Sequence, residues 1–486
     1  MHPEVIKENI HFIGREEERG RLAKLDAEKG SKILIVYGRR RVGKTELLEQ
    51  FFRHRNILKF EGLEGQSDER QRQHVMEQLA KYTDEPLLKK IEYKHWIEVF
   101  ECIARYVIEG EWTVYFEEIQ WLANYKHDFI AELKHVWDNQ LRRNDKLLLI
   151  LCGSSPSFVI NKILHSKALH NRSLNELLLR EFNPITTAKF LKGKSKNEIL
   201  DAYLTIGGMP EYLLRMKKHS STLISIVNES FKEGGFFLHE YKRVFTSSLG
   251  KTEYAQKIIE FLSRRRFATR DEILSHLKLT SGGGVTDLLN DLEQCGFISK
   301  YTPYYLEKDS LLCRYCITDA YLQFYFKFIK PLTKRILSGE YNREPMRALN
   351  IDSYYKWLGY AFERVCRKYH YVIARILGFS GVDYQFGTYF NRQSQFDAPG
   401  YQLDLVFARK DKVYTICEMK YLQTKVSHKV IEEMARKLEY FPPAEKHTIQ
   451  KVLVAPQGAS ETVINQHYFD RIITMDELFN ENYWRC

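Results

Sequence analysis

Two groups of residues in this 486-residue sequence have the types and spacing for chemistry. In the first, the apolar run Ile33-Leu34-Ile35-Val36-Tyr37 breaks into Gly38-Arg39-Arg40-Arg41-Val42-Gly43-Lys44-Thr45 and continues as Glu46-Leu47-Leu48-Glu49-Gln50-Phe51-Phe52. Gly38 to Thr45 fits G-x-x-x-x-G-K-S/T at every fixed position. A glycine loop between strand and helix can turn its backbone N–H groups inward around phosphates, and that needs this spacing. Lys44 would reach the β- and γ-phosphates and Thr45 would ligate Mg²⁺, so the stretch predicts ATP as ligand and Mg²⁺ as cofactor. Further on, the apolar run Trp112 to Phe116 ends in Glu117-Glu118. Acids at a strand's C-terminal end suit a nucleotide site: Glu117 would hold Mg²⁺ through water, and Glu118 would serve as catalytic base for the attacking water.

A third apolar run, Leu147 to Cys152, meets Gly153-Ser154-Ser155. Ser154 or Ser155 sits where a residue would touch the γ-phosphate or the water; serines in a tight turn after a strand are the equal alternative. Two flanking segments complete the set. Phe12-Ile13-Gly14-Arg15-Glu16 precedes a charged helix, and Ile206-Gly207-Gly208-Met209-Pro210-Glu211-Tyr212 interrupts a helical region. Paired glycines there would let backbone approach a nucleotide closely, or simply turn the chain between helices.

The second group lies near the C-terminus. A helix Gly359 to Val365 carries Glu363, a strand Gln402 to Phe407 carries Asp404, and a turn at Arg409 to Lys412 leads into a strand Val413 to Lys420. Glu418 and Lys420 share one strand face by the period of two, and Asp404 would face them across the hairpin. Asp404 with Glu418 and Lys420 could therefore complete a metal-binding cluster. E-x-K alone is common in amphipathic strands; its order after a helix Glu and a strand Asp is what raises it.

These positions imply an α/β P-loop NTPase core over 1–184, a helical lid over 185–249, a winged helix-turn-helix over 250–310, an aromatic helical connector over 311–348 and an α/β domain over 349–486. The winged unit is read from three short helices, Tyr254 to Leu262, Thr269 to Leu277 and Val285 to Glu293, followed by a hairpin starting at Gly296. Its third helix carries Asp287, Asp291 and Glu293 and no basic residue, so docking a protein partner is favoured over reading DNA. The connector Tyr315 to Ile329 is dense in aromatic residues; burial explains it better than stacking on nucleic acid.

Taken together, Phe12 to Glu16, the arginine-rich glycine loop, Glu118-Ile119-Gln120, Gly153-Ser154-Ser155 and Gly207 to Tyr212 resemble the archaeal-type ATPases of the STAND/AAA-related class. In those proteins the C-terminal part is the domain family called DUF234, and Asp404, Glu418 and Lys420 with Glu363 as the helix carboxylate resemble the PD-(D/E)xK, restriction-endonuclease-like core. That resemblance implies Glu363, Asp404 and Glu418 as metal ligands and Asp404, Glu418 and Lys420 as catalytic residues of a phosphodiester-cleaving site, with Lys420 offsetting charge on the phosphorane. The resemblance implies that Gly14 and Arg15 lie against the nucleotide. It also implies that Arg39, Arg40, Arg41, Val42, Gly208 and Pro210 line the site and that Arg172 follows the third strand as a nucleotide-sensing arginine. Glu117 stands where the family has Asp, and Asn171 where it has Gly. The extra methylene of Glu117 predicts a looser metal shell and slower hydrolysis.

The net charge of +11 permits DNA or an acidic partner, and the eight scattered cysteines fit a reducing, cytoplasmic setting. Cys313-Arg314-Tyr315-Cys316 has no second pair nearby and reads as two reduced, packed thiols. No run reaches the ~18–20 apolar residues of a membrane span. The expectation is a cytoplasmic ATP-binding and ATP-hydrolysing regulator whose nucleotide state controls a nuclease-like domain acting on DNA. A switch or DNA-loading ATPase whose nuclease-like domain only binds is the alternative, and the reading allows a homo-oligomer.

Overall fold

The computed structural model describes every residue except 1, 3–4, 166–173, 249–251, 266, 280–282, 302–312, 392–399, 442–446 and 486. Arg172, expected to sense the nucleotide, lies outside the described residues. Near-continuous apolar runs are what a parallel sheet covered on both faces requires. β1 (Lys32–Tyr37), β2 (Asn56–Glu61), β3 (Trp112–Glu117), β4 (Leu148–Gly153) and β5 (Leu174–Leu178) form that sheet in the order β2-β3-β4-β1-β5, parallel throughout. Alternation along β1 sends Ile33, Ile35 and Tyr37 into one core and Leu34 and Val36 into another. Each such aliphatic side chain contributes about 1.5–3 kcal/mol when fully buried. Because β4 lies between β1 and β3, neighbouring strand ends bring together the glycine loop, the two acids and Gly153-Ser154-Ser155.

Helices Pro184–Phe190, Lys196–Ile206, Pro210–Met216, Thr222–Phe231 and Phe236–Ser248 follow. Ser195 and Glu198 cap the Lys196–Ile206 helix reciprocally, and Gly207, at φ 75°, ends it. Next come helix Thr252–Ser263, β6 (Ala268–Thr269), helices Arg270–Leu277 and Gly283–Gln294, and β7 (Ile298–Tyr301) with β8 (Arg314–Ile317). These strands make a small antiparallel sheet, β6-β8-β7, and the pair Cys313 and Cys316 lies at β8 as free thiols. In the connector, helix Ala320–Phe324 runs on through wider turns to Ile329, with Tyr321, Phe324 and Ile329 fully buried. Those rings are core.

The C-terminal part has helices Ile351–Lys368 and His370–Ile376 and a mixed sheet of β9 (Tyr384–Asn391), β10 (Tyr401–Arg409), β11 (Val413–Met419), β12 (Thr448–Val454) and β13 (Arg471–Ile473). β9-β10-β11 are antiparallel, β11-β12-β13 parallel, and helix Lys429–Glu439 covers one face. The pairing of β10 with β9 shifts register between Leu403 and Val406. Such an irregularity explains why Leu403 and Val406 share a core while Leu405 and Phe407 face the other way.

The Lys196–Ile206 helix fastens the two halves. Tyr421 Oη donates to Asp201 (2.6 Å), the hydroxyls of Tyr203 and Tyr369 meet at 2.6 Å, and those of Thr205 and Tyr354 at 2.7 Å. Burial pushes the Asp201 carboxyl up to about 6, an effect the Tyr421 hydroxyl only partly offsets. Between its ordinary value near 4 and that raised one, the folded state therefore holds an extra proton, and stability falls as pH rises. Relative to Asp201→Asn, which can still accept from Tyr421, the wild type should lose about 2–3 kcal/mol between about pH 4 and pH 7 in urea titrations. Parallel pH profiles would show the cost lies elsewhere.

Candidate functional site

The phosphate loop is built by backbone that other residues would not tolerate. A Cβ on Gly38 would lie 2.2 Å from the Leu179 carbonyl oxygen; Arg41 and Gly43 hold φ 69° and 92°. Lys44 opens helix Lys44–Phe52, is buried, and arches back to donate to the carbonyls of Gly38 (2.8 Å) and Arg39 (3.2 Å). The ammonium is thus held over the loop whose N–H groups define a phosphate site.

Thr45 Oγ1 donates to Glu117 Oε1, and Glu117 Oε2 meets Lys59 Nζ at 2.7 Å. Burial works against the Lys59 ammonium, but Glu117 and Glu49 beside it outweigh that and hold its pKa above the usual lysine value. A hydroxyl touching a carboxylate at the end of a phosphate loop is the hard-oxygen donor set that suits Mg²⁺, which keeps most of its waters. Thr45 and Glu117 therefore fit the metal. Glu118 enters the left-handed region (φ 53°) to start the short helix Ile119–Leu122, which points its carboxylate toward β4. Its Oε2 accepts from Ser154 Oγ (2.5 Å), Ser154 N (3.2 Å) and Gln120 Nε2 (2.7 Å). Ser154, expected near phosphate or water, is hydrogen-bonded to Glu118. Ser155 is buried beside it, at the start of the next turn of helix.

The flanking residues act on the loop rather than lying open. Arg15, at φ 65° and 6% exposed, donates to the carbonyls of Val42 and Arg180, both at 2.7 Å, and covers the Phe182 ring. Gly14 packs where a Cβ would lie 2.5 Å from Thr186 Cγ2. A Cβ on Gly208 would sit 2.0 Å from the Phe182 carbonyl oxygen, so the close approach Gly208 allows is to that backbone. Pro210 lies against Gly43. The loop arginines fan out: Arg39 pairs with buried Asp319, Arg40 lies over Trp121, and Arg41 pairs with Oε2 of Glu240 (2.5 Å), whose Oε1 accepts from Tyr212. Burial opposes the Arg39 charge, but Asp319 and its neighbours overcome it and raise the pKa above the usual arginine value.

The second group lines a cavity of about 410 Å³ between helices Ile351–Lys368 and Lys429–Glu439 and the ends of β10 and β11. Asp404 Oδ2 accepts from the Met419 N–H (3.0 Å), while the Asp404 carbonyl, at the register shift, accepts from Arg367 (3.2 Å). Glu418 is 1% exposed. Lys437 donates to both its oxygens (2.7 and 2.6 Å), and Lys420, paired with Glu433 at 2.7 Å, lies 3.2 Å from Oε1. Burial, then Glu418 and Glu363, push the Asp404 carboxyl up to about 7. Glu363 stands 3.5 Å from Arg367 and from Gln402.

Glu363, Asp404 and Glu418 were expected to converge on a metal. They line one cavity, but no three carboxylate, histidine or cysteine groups form a metal-ligand set among the described residues. Lys437, which sequence reading missed, donates to both oxygens of Glu418, and a divalent ion would have to displace it. The signal for Lys437 was its helical i,i+4 spacing from Glu433, which puts both on the face toward Lys420 and Glu418. Lys59 and Gln120, missed likewise, had only a charged residue inside a strand and an amide after the acids to mark them.

Lys44 seats its ammonium over the loop, and Lys44→Ala removes that charge. Calorimetry should show ATP affinity down at least about 100-fold, the cost of a charge-assisted contact to phosphate, with thermal stability near wild type. Equal affinity would place the phosphates elsewhere.

Residues 12–216 match a family described as an ATPase domain predominantly from Archaea. An uncharacterized protein of Methanocaldococcus jannaschii is 25% identical over 362 residues, covering 74% of this chain and 77% of that protein. An uncharacterized ATP-binding protein of the same organism is 40% identical over 48 residues, 10% of this chain and 81% of its own length. A Walker-type ATPase of Pyrococcus abyssi superposes on 67% of this chain and 99% of its own, at 19% identity and a TM-score of 0.46. With its glycine loop, paired acids and lysine inside the matched span, this chain belongs to the family of ATPase domains found predominantly in Archaea.

Proposed function

We propose that the chain hydrolyses ATP and that its nucleotide state controls the C-terminal cleft, a nuclease-like domain acting on DNA. The Arg39–Asp319 pair carries this reading. A residue inside the phosphate loop is bound to the residue that caps helix Ala320–Phe324, since Asp319 Oδ1 also accepts the Leu322 N–H (2.6 Å). A phosphate in the loop competes electrostatically for Arg39 and Arg41, and so changes what Asp319 and Glu240 are paired with. A second path reaches the cleft directly. Glu181 accepts from the Gly208 N–H (3.1 Å) and from Lys368 (2.5 Å), on the same helix as Glu363.

In the hydrolytic step, the loop N–H groups and Lys44 bind the β- and γ-phosphates. Thr45 and Glu117 would hold Mg²⁺, whose charge neutralises phosphate oxygens when bound. Glu118 orients the attacking water and takes its proton at the carboxylate, while Ser154 and Gln120 fix its rotamer. The stretch 250–310, with helices Thr252–Ser263, Arg270–Leu277 and Gly283–Gln294, is the winged unit of this reading and docks protein.

The Lys437–Glu418 pair favours a second reading, in which the cleft binds without cutting. Purified protein incubated with circular and linear DNA, with and without ATP and Mg²⁺ or Mn²⁺, separates the two. Under the first reading DNA is cut, and Asp404→Ala and Lys420→Ala each abolish cutting while ATP hydrolysis persists. DNA bound but intact under every condition supports the second, and cutting that survives both substitutions removes the cleft from the chemistry.

Glu118→Gln keeps the volume but cannot accept the proton. Single-turnover hydrolysis should fall about 100-fold or more with ATP still bound. An unchanged rate would put the base elsewhere.

A further inference from the structure

We infer that the C-terminal cleft takes single-stranded polynucleotide, seating one unpaired nucleotide with its base on tyrosine faces and its phosphate at the rim. The inference rests on the reading of the cleft as a nucleic-acid site and names the form of nucleic acid it accepts. Tyr360, on helix Ile351–Lys368, and Tyr440, after helix Lys429–Glu439, both line the 410 Å³ cavity, with their rings 51% and 39% exposed. Tyr401 backs Tyr440, with ring centroids 6.4 Å apart. Aromatic faces at a cavity mouth suit a splayed base, because every base has a π face. Bases in a duplex are already stacked on one another and present only their edges.

Charge orders the ligand in the cleft. The floor holds Asp404 and Glu418, and Lys420 and Lys437 are engaged with Glu418 and Glu433. A phosphate pushed to the floor would meet carboxylates. Arg436, exposed on the cavity wall, is in no ion pair among the described residues and is the cation placed to meet a backbone phosphate at the mouth. The volume lies within the ~300–1,000 Å³ range of small-ligand sites, room for one nucleotide but not a base pair with its neighbours.

The test is fluorescence anisotropy of the full chain in EDTA. The probes are a labelled oligonucleotide of about fifteen nucleotides as single-stranded DNA, as single-stranded RNA and as blunt duplex. Single strand of at least one sugar type should bind at least about tenfold tighter than duplex. Tyr360→Ala and Tyr440→Ala should each weaken single-strand binding about tenfold, with Phe at either position retaining it. Arg436→Ala should flatten the salt dependence by about one phosphate contact. Retained ATP hydrolysis shows that each variant is folded. Duplex bound as tightly as single strand, or alanine variants equal to wild type, overturns the inference and leaves the nucleic-acid reading standing. Binding to none of the three probes overturns both.

Discussion

A buried ion pair between Arg39 and Asp319 holds the molecule in register. The partners stand 280 positions apart, with side chains 10% and 6% exposed, and the Arg39 guanidinium also covers the Phe297 ring. Removing one member of such a pair strands the other charge in apolar surroundings, at about 3–5 kcal/mol. The phosphate loop can therefore move away from the connector only when another anion takes the place of Asp319. The same logic, less severely, applies to Arg41 and Glu240. Burial, only partly relieved by Arg41 and Tyr212, keeps the Glu240 carboxyl above its ordinary range. The loop's arginines serve the architecture as much as the ligand.

The parts of this fold that were legible in the sequence are those whose determinants lie close together along the chain. Strand, glycine loop and helix around Lys44 span few residues, and the paired acids follow their own strand directly. The C-terminal hairpin with Asp404 and Glu418 is equally local. Partner choice was not legible. Nothing adjacent to Arg39 or Arg41 points to Asp319 or Glu240, because a salt bridge across such a separation depends on how whole elements pack. Arg15 illustrates the same limit: its segment reads as nucleotide contact, yet its guanidinium is spent on the carbonyls of Val42 and Arg180. Lys437 is the sharper case. A lysine on an amphipathic helix is ordinarily a solvated face, and only the packing of that helix over β11 turns it onto a carboxylate that is 1% exposed.

The cleft and the nucleotide site are joined by elements that themselves do no chemistry. The Lys196–Ile206 helix ends in the turn that leads to Pro210, which lies against Gly43 of the loop, and its side chains hydrogen-bond to Tyr354, Tyr369 and Tyr421. Tyr421 follows Lys420 directly, and Lys368 is five positions beyond Glu363 on one helix. Burial would raise the Glu181 carboxyl, but Lys368, the Gly208 N–H and Arg39 together bring it below its ordinary range. One half-buried carboxylate is thus in the field of both an arginine of the phosphate loop and a lysine of the cleft helix.

The apolar core that begins at Leu34 and Val36 does not stop at the ATPase sheet. It continues through Leu204, Met209, Phe237, Tyr321 and Phe362 to Leu405, Met419 and Val454. The core on the other face, around Ile35, Phe60 and Phe116, stays within the first sheet and its helices. A chain ended after residue 216, where the family match stops, would keep the second core whole but cut the first in the middle. Tyr212 would then lose the rings of Phe237 and Tyr321 that pack against it. The ATPase unit recognisable by sequence is therefore not a detachable module here: its helices between Pro184 and Met216 share one apolar core with the elements that follow.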